Sequence, residues 1–187
     1  MTAPVRTITW LSLESKLTPG MVMDVPSSSM TSGCQIENYT KNGGDNQKVY
    51  CEFVDSREEN CAIVFTIVFK HSTQYLGVGN LYTNCPVVQL TYDPDANIYW
   101  VPEVHGNYFA LNLIGTTLYA EIEGSSTANC TNIRLNEYNG GDNQLWKFCT
   151  QWNVFCDFLI YYLLGEMAEW CNIIYHMKKS SRYSVWL

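Results

Sequence analysis

Asn46-Gln47 and Asn143-Gln144 are two amide pairs set in the same six residues, Asn-Gly-Gly-Asp-Asn-Gln, at positions 42–47 and 139–144. Primary amides donate and accept hydrogen bonds without carrying charge, so they suit recognition of neutral polar groups better than bond-making chemistry. Residues that make or break bonds are not arranged for it. His71, His105 and His176 are scattered, and no Ser-His-Asp order with nucleophile-elbow glycines surrounds them. The eight cysteines form no CxxC pair and no zinc-type spacing with those histidines. A Cys–His protease could use any of them, but nothing local singles one out. No metal, no cofactor and no catalytic residue is expected.

The amides need a frame. Paired glycines supply positive φ without a steric penalty, and the flanking Asn and Asp tolerate the same region, so the hexapeptide reads as a tight loop entering a strand. Residues 5–13 alternate apolar and polar positions around Ile8, Trp10 and Leu13, the period of a strand. Short strands succeed it at 21–25, 35–39 and 47–54, with turn signals between them. The pattern then restarts at 63–69, 75–78, 87–90 and 98–100, where Asp93-Pro94-Asp95-Ala96-Asn97 takes the place of the Gly-Gly loop. It restarts again at 108–113, 118–122, 132–135 and 145–146. Three units, about 4–57, 58–104 and 105–148, are each too small to bury a core alone and must share one. Three four-stranded units closing on a pseudo-threefold axis make an all-β fold, the β-trefoil. Its closed barrel removes exposed sheet edges. Trp10, Trp100 and Trp146 are assigned to the core.

The chain has 187 residues and a formal charge of −7, with only 16% charged residues and thirteen Tyr. That length suits one well-filled core, and the acidic balance argues against a nucleic-acid backbone or anionic lipid as partner. Residues 1–6 lack the apolar run of a secretory signal, so a cytoplasmic location is expected before a secreted one. The cysteines then read as structural thiols rather than a disulfide framework. The sequons at Asn38 and Asn129 matter only if the chain is secreted.

Residues 149–187 break the pattern and form an atypical C-terminal extension. Phe155, Leu159, Tyr162, Met167, Trp170 and Ile174 could make a helical stripe, but Asp157, Glu166 and Glu169 interrupt it too often for a membrane span. A helix packed on the barrel, an interface segment and an artefact of the gene model all remain open.

Three phased repeats, Gln144-Leu145-Trp146 and the Asn-Gln pair in two loops resemble the ricin-B-type (R-type, Gln-x-Trp) lectins over residues 4–148. The absence of a signal sequence is similar to the single-domain cytoplasmic lectins of fungi. The resemblance implies a shallow sugar site in each repeat. A carboxylate accepts from two sugar hydroxyls, an aromatic ring stacks on the pyranose, an Asn in the loop donates, and the next Gln orients the carboxylate. In the first repeat Asp24, Tyr39, Asn46 and Gln47 fill these roles. The second repeat has Gly77 and Asn97-Ile98 and should be dead. The third has Glu121, Asn143 and Gln144, with Asn136 at the aromatic position and Tyr138 as the ring that could stack instead.

Independently of the family, a carboxylate acceptor beside an amide donor pairs well with sugar hydroxyls. Asp24 could equally cap a turn, and Tyr39 could be a half-buried strand residue. The expected function is binding of galactose or N-acetylgalactosamine-type glycans without turnover, and the family suggests a defence role. Weak single sites gain from multivalency, which favours a homodimer, with the apolar tail as its contact. The alternative is a β-trefoil protease inhibitor acting through the loop at 27–32 or at 55–60.

Overall fold

Short β-branched and aromatic runs separated by turns form twelve strands in the computed structural model, which describes residues 10–54 and 64–149. The first repeat contributes β1 (Ser12–Ser15), β2 (Met21–Asp24), β3 (Glu37–Thr40) and β4 (Val49–Val54). The second contributes β5 (Val64–Phe69), β6 (Tyr75–Val78), β7 (Val87–Leu90) and β8 (Trp100–His105). The third contributes β9 (Tyr108–Leu113), β10 (Leu118–Ile122), β11 (Thr131–Glu137) and β12 (Leu145–Cys149). The expectations for residues 1–9, the loop at 55–60 and the tail from 150 onward lie outside the described residues. No α-helix occurs among the described residues, and so none there is long and apolar enough to cross a membrane.

Pairing produces the expected symmetry. Around one ring β1 pairs with β12, β12 with β9, β9 with β8, β8 with β5 and β5 with β4. A bridge between Leu11 and Val49 closes the ring, so the barrel has no open edge there. The remaining strands form three hairpins, β2–β3, β6–β7 and β10–β11. The hairpins join one another through β11–β3, Gln35–Val88 and Pro86–Arg134. This is the β-trefoil arrangement of a six-stranded barrel with a triangular cap.

One hydrophobic core runs through barrel and cap. Leu13, Ile67, Phe69, Leu111 and Leu113 fill the barrel, while Met23, Ile36, Leu76, Ile122 and Ile133 fill the cap. Trp100 and Trp146 are fully buried between them. Trp10 corrects the expectation of three core tryptophans: it is half-buried, edge-on to Tyr50 and beneath the Lys70 ammonium. The five described cysteines, Cys34, Cys51, Cys85, Cys130 and Cys149, are all unpaired. Of the two sequons, Asn38 is fully buried with its amide donating to Thr18, whereas Asn129 is exposed.

Candidate functional site

Both hexapeptides fold alike. Gly43 and Gly140 take positive φ, 78° and 72°, as expected of a tight loop. The second glycine of each pair is present for a different reason. Gly44 and Gly141 have ordinary negative φ, but a Cβ there would collide with the side-chain oxygens of Asn46 and Asn143. Gln47 Oε1 accepts from the Asn42 and Gly43 amides, and its Nε2 donates to the Thr40 carbonyl at 3.0 Å. Gln144 makes the matching bonds to the Asn139 amide and the Glu137 carbonyl. Each Gln therefore braces its own loop, and each loop then presents an Asn amide to the end of a hairpin strand.

In the first repeat that amide meets Asp24. Asn46 Nδ2 lies 3.0 Å from both carboxylate oxygens and 3.0 Å from the Val25 carbonyl. The Val25 amide in turn donates to the Asn46 carbonyl, so loop and hairpin are tied in both directions. Across the hairpin Val22 faces Tyr39 and Asp24 faces Glu37, which places Asp24, Glu37 and Tyr39 on one face. Tyr39 is half-buried and makes no hydrogen bond through its hydroxyl among the described residues. The hairpin of the third repeat borders this face, because Asn129 accepts from the Thr40 amide and hydroxyl.

Burial dominates the electrostatics. Asp24 is 3% exposed, and loss of hydration pushes its carboxyl up to about 6. Neighbouring Glu37 adds to the rise, while the Gln47 and Asn46 amides and the more distant His71 oppose it. Glu37 is itself raised by burial, against a hydrogen bond from the Cys130 thiol. A carboxylate has about four acceptor directions. The Asn46 amide nitrogen bridges the two oxygens of Asp24 and the Gln47 amide also acts on the carboxyl, which still leaves acceptor capacity for a ligand.

The third repeat differs at that point. Glu121 is 2% exposed and takes five donors. Arg134 Nε and Asn136 Nδ2 reach one oxygen at 3.1 and 2.9 Å. Asn139, Asn143 and Gln144 reach the other, each at 3.2 Å. Protein donors occupy the acceptor capacity of this longer side chain. Asn143 and Gln144 do gather at Glu121 as the sequence suggested. Tyr138 instead stacks on His105 and packs against Tyr119. Arg134 and Asn139 were not singled out in the sequence. The signal was there only once the register was known, since Arg134 lies directly opposite Glu121 where the first repeat has Glu37.

In the second repeat backbone and side-chain atoms fill the place of the carboxylate. A Cβ on Gly77 would lie 2.7 Å from the Asn97 carbonyl oxygen, 2.8 Å from Ile98 Cγ2 and 3.1 Å from Leu90 Cδ1. Restoring a carboxylate by Gly77→Asp should therefore create no sugar site and should destabilise the fold by about 2 kcal/mol or more, as overpacking and an unpaired buried charge do. Thermal denaturation beside a binding assay checks both, and a stable variant with new sugar binding would refute this account.

His71 bonds the Ser29 carbonyl and His105 the Tyr138 hydroxyl, so neither forms a nucleophile–base pair with a Ser or Cys side chain. No group of metal-ligating side chains occurs among the described residues. The loop at 27–32 is pinned to the second repeat by Gln89, which donates to the Ser29 and Thr31 carbonyls, and exposes Met30 at its tip.

No family model matches the chain, and no curated protein matches it. Solved structures do. A designed threefold-symmetric protein, ThreeFoil, is 27% identical with a TM-score of 0.65, over 74% of this chain and 96% of its own. The Rhizoctonia solani agglutinin is 25% identical with a TM-score of 0.68, over 80% of this chain and all of its own. The Macrolepiota procera ricin B-like lectin, in complex with lactose, is 20% identical with a TM-score of 0.63, over 79% of this chain and 99% of its own. The resemblance to the ricin-B-type lectins thus extends from the repeats to the backbone fold.

Proposed function

We propose that this chain, a β-trefoil that resembles the ricin-B-type lectins, binds carbohydrate through one site, the Asp24 face of its first repeat. The observation that carries this reading is the contrast between the two surviving carboxylates. Asp24 keeps acceptor capacity beside a half-buried tyrosine ring, whereas Glu121 is saturated by five protein donors. Two adjacent sugar hydroxyls donating to Asp24, with Tyr39 covering the C–H face of the ring, would use the free groups on that face. Asn46 holds the carboxylate in place, and Gln47 holds the loop that carries Asn46. Glu121, Tyr138, Asn143 and Gln144 are assigned no sugar site.

The sugar proposed is galactose or N-acetylgalactosamine at the end of a glycan. The neighbour seen with lactose supports that class. Recognition without turnover fits a site that holds acceptors and a ring but no nucleophile. We assign the trefoil to residues 1–148, although β12 keeps Cys149 opposite Ser12, and treat residues 149–187 as a separate extension. A shallow site of this kind, with a Kd near 1 mM, is worth only about −4 kcal/mol, so useful avidity calls for two chains acting together.

A glycan array probed with the wild type and with Asp24→Ala tests the proposal. Binding to terminal galactose or N-acetylgalactosamine is expected in the wild type and should disappear in the variant. Binding that survives the substitution would remove the site from the first repeat. No glycan bound by either protein would leave the pinned loop at 27–32, and the inhibitor reading, in front.

A further inference from the structure

At the base of the third hairpin a cleft of about 440 Å³ is lined by Glu103, Thr116, Thr117, Tyr119, Glu137 and Tyr138, with Asn112 at its floor. The Asn112 amide is committed to the Thr116 and Leu118 carbonyls. Tyr119 and Tyr138 are in tilted contact at the cleft wall, with ring centroids 5.2 Å apart and planes at 50°. His105 backs Tyr138, stacked at 5.3 Å. The Tyr119 hydroxyl donates to Glu103 at 2.7 Å and fixes one carboxylate at the mouth, and Glu137 supplies a second. No lysine or arginine lines the cleft.

The arrangement recurs. In the second repeat Tyr75 and Tyr92 stand 5.2 Å apart at 49°, and the Tyr75 hydroxyl donates to Glu52 at 3.2 Å. Register makes the two sets equivalent: Tyr75 and Tyr119 each face a partner in the preceding barrel strand, and Glu52 and Glu103 occupy matching places opposite Thr66 and Ala110. In the first repeat the same positions hold Val22, Lys41 and Cys149, with no ring and with a cation instead. The hydroxyl–carboxylate bond alone would be explained as a brace between hairpin and barrel. Tyr138 is not, because it remains 39% exposed and its own hydroxyl meets His105 rather than a carboxylate.

We propose that the third-repeat cleft binds an organic ammonium group, the quaternary or protonated amine head of a small molecule or sugar. The negative faces of two tyrosines attract a cation held within about 6 Å of the ring centroids. Two carboxylates add charge, and of the basic groups that act on Tyr138, Lys16 is held by Asp142 at 2.8 Å and His105 lies behind the ring. A protein of net charge −7 also concentrates cations at its surface. The inference stands apart from the Asp24 site, and each can fail alone.

Titration of the isotope-labelled full chain with choline, followed by NMR, tests it. Choline should give saturable shifts centred on Tyr119 and Tyr138. Tyr138→Ala and Glu103→Gln should each weaken it about tenfold, while Tyr138→Phe, which keeps the ring, should retain it. Galactosamine beside choline separates an amino sugar from a quaternary head, and saturable shifts at the cleft with either support the proposal. The neutral analogue of choline with carbon in place of nitrogen should not bind there. Equal binding of that analogue, no saturable shift with either amine, or a Tyr138→Ala variant that binds as well as wild type would overturn it.

Discussion

Affinity for the sugar should fall about tenfold between pH 7 and pH 5, and about a hundredfold by pH 4. The proposed contact needs Asp24 as an ionised acceptor, and burial raises its carboxyl to about 6. Above that value the carboxylate is formed and binding is at its plateau; each unit below it removes a factor approaching ten. Glu37 faces Asp24 across the hairpin, and its own proton uptake relieves part of the repulsion between them. His71 pulls the other way, and Cys130 contributes a thiol rather than a charge near neutrality.

Folding stability should respond to Asp24 with the opposite sign. Its folded value lies above the ordinary 3.8, so the native state takes up the proton first and gains stability as pH falls from 6 toward 4. That gain is on the order of 3 kcal/mol and is absent above pH 6. Isothermal titration across this range, beside a melting curve at each pH, separates the two effects. Sugar affinity that is flat from pH 7 to pH 4 would mean that Asp24 does not contact the ligand.

Much of this site could be read from residue order because the repeat itself supplies the alignment. Matching Val22–Val25 to Tyr75–Val78 and to Tyr119–Ile122 puts Asp24, Gly77 and Glu121 in one position, and the structure keeps each on the second strand of its repeat, paired into the hairpin. The strands at 75–78, 87–90, 108–113 and 118–122 also stand where alternation and turn residues placed them.

What escaped depends on contacts between strands far apart in the chain. That Glu121 is saturated depends on Arg134 across one hairpin and Asn139 in a loop, and neither is visible until the register is fixed. Tyr138 looked like a spare stacking ring, but the chain turns after Glu137 and directs it toward His105, thirty-three residues earlier. Gly44 illustrates a subtler miss: its type was explained by φ, yet the space taken by the Asn46 oxygen demands it. The site's chemistry is local in sequence, and its occupancy is not.

Truncating Trp146 to alanine should cost about 3–5 kcal/mol, enough to leave much of the chain unfolded if its total stability is ordinary. The indole is fully buried in the shared core, and its Nε1 donates to the Ala120 carbonyl at 3.1 Å. Ala120 is the residue before Glu121, so this bond fixes the third hairpin onto the barrel. Trp100 does the same for the second hairpin through the Leu76 carbonyl at 2.9 Å, one residue before Gly77. In the first repeat Val49 stands at the matching place and carries no donor. There the hairpin is held instead by Asn46, which binds both Asp24 and the Val25 carbonyl.

The repeat proposed to bind sugar is thus the one whose hairpin lacks an indole anchor and depends on its polar contacts. Trp146→Phe keeps most of the packing but leaves the Ala120 carbonyl without its donor, and should cost about 1–3 kcal/mol. Denaturant unfolding of the full chain measures both variants. A loss below about 1 kcal/mol for the alanine variant would contradict the anchoring role.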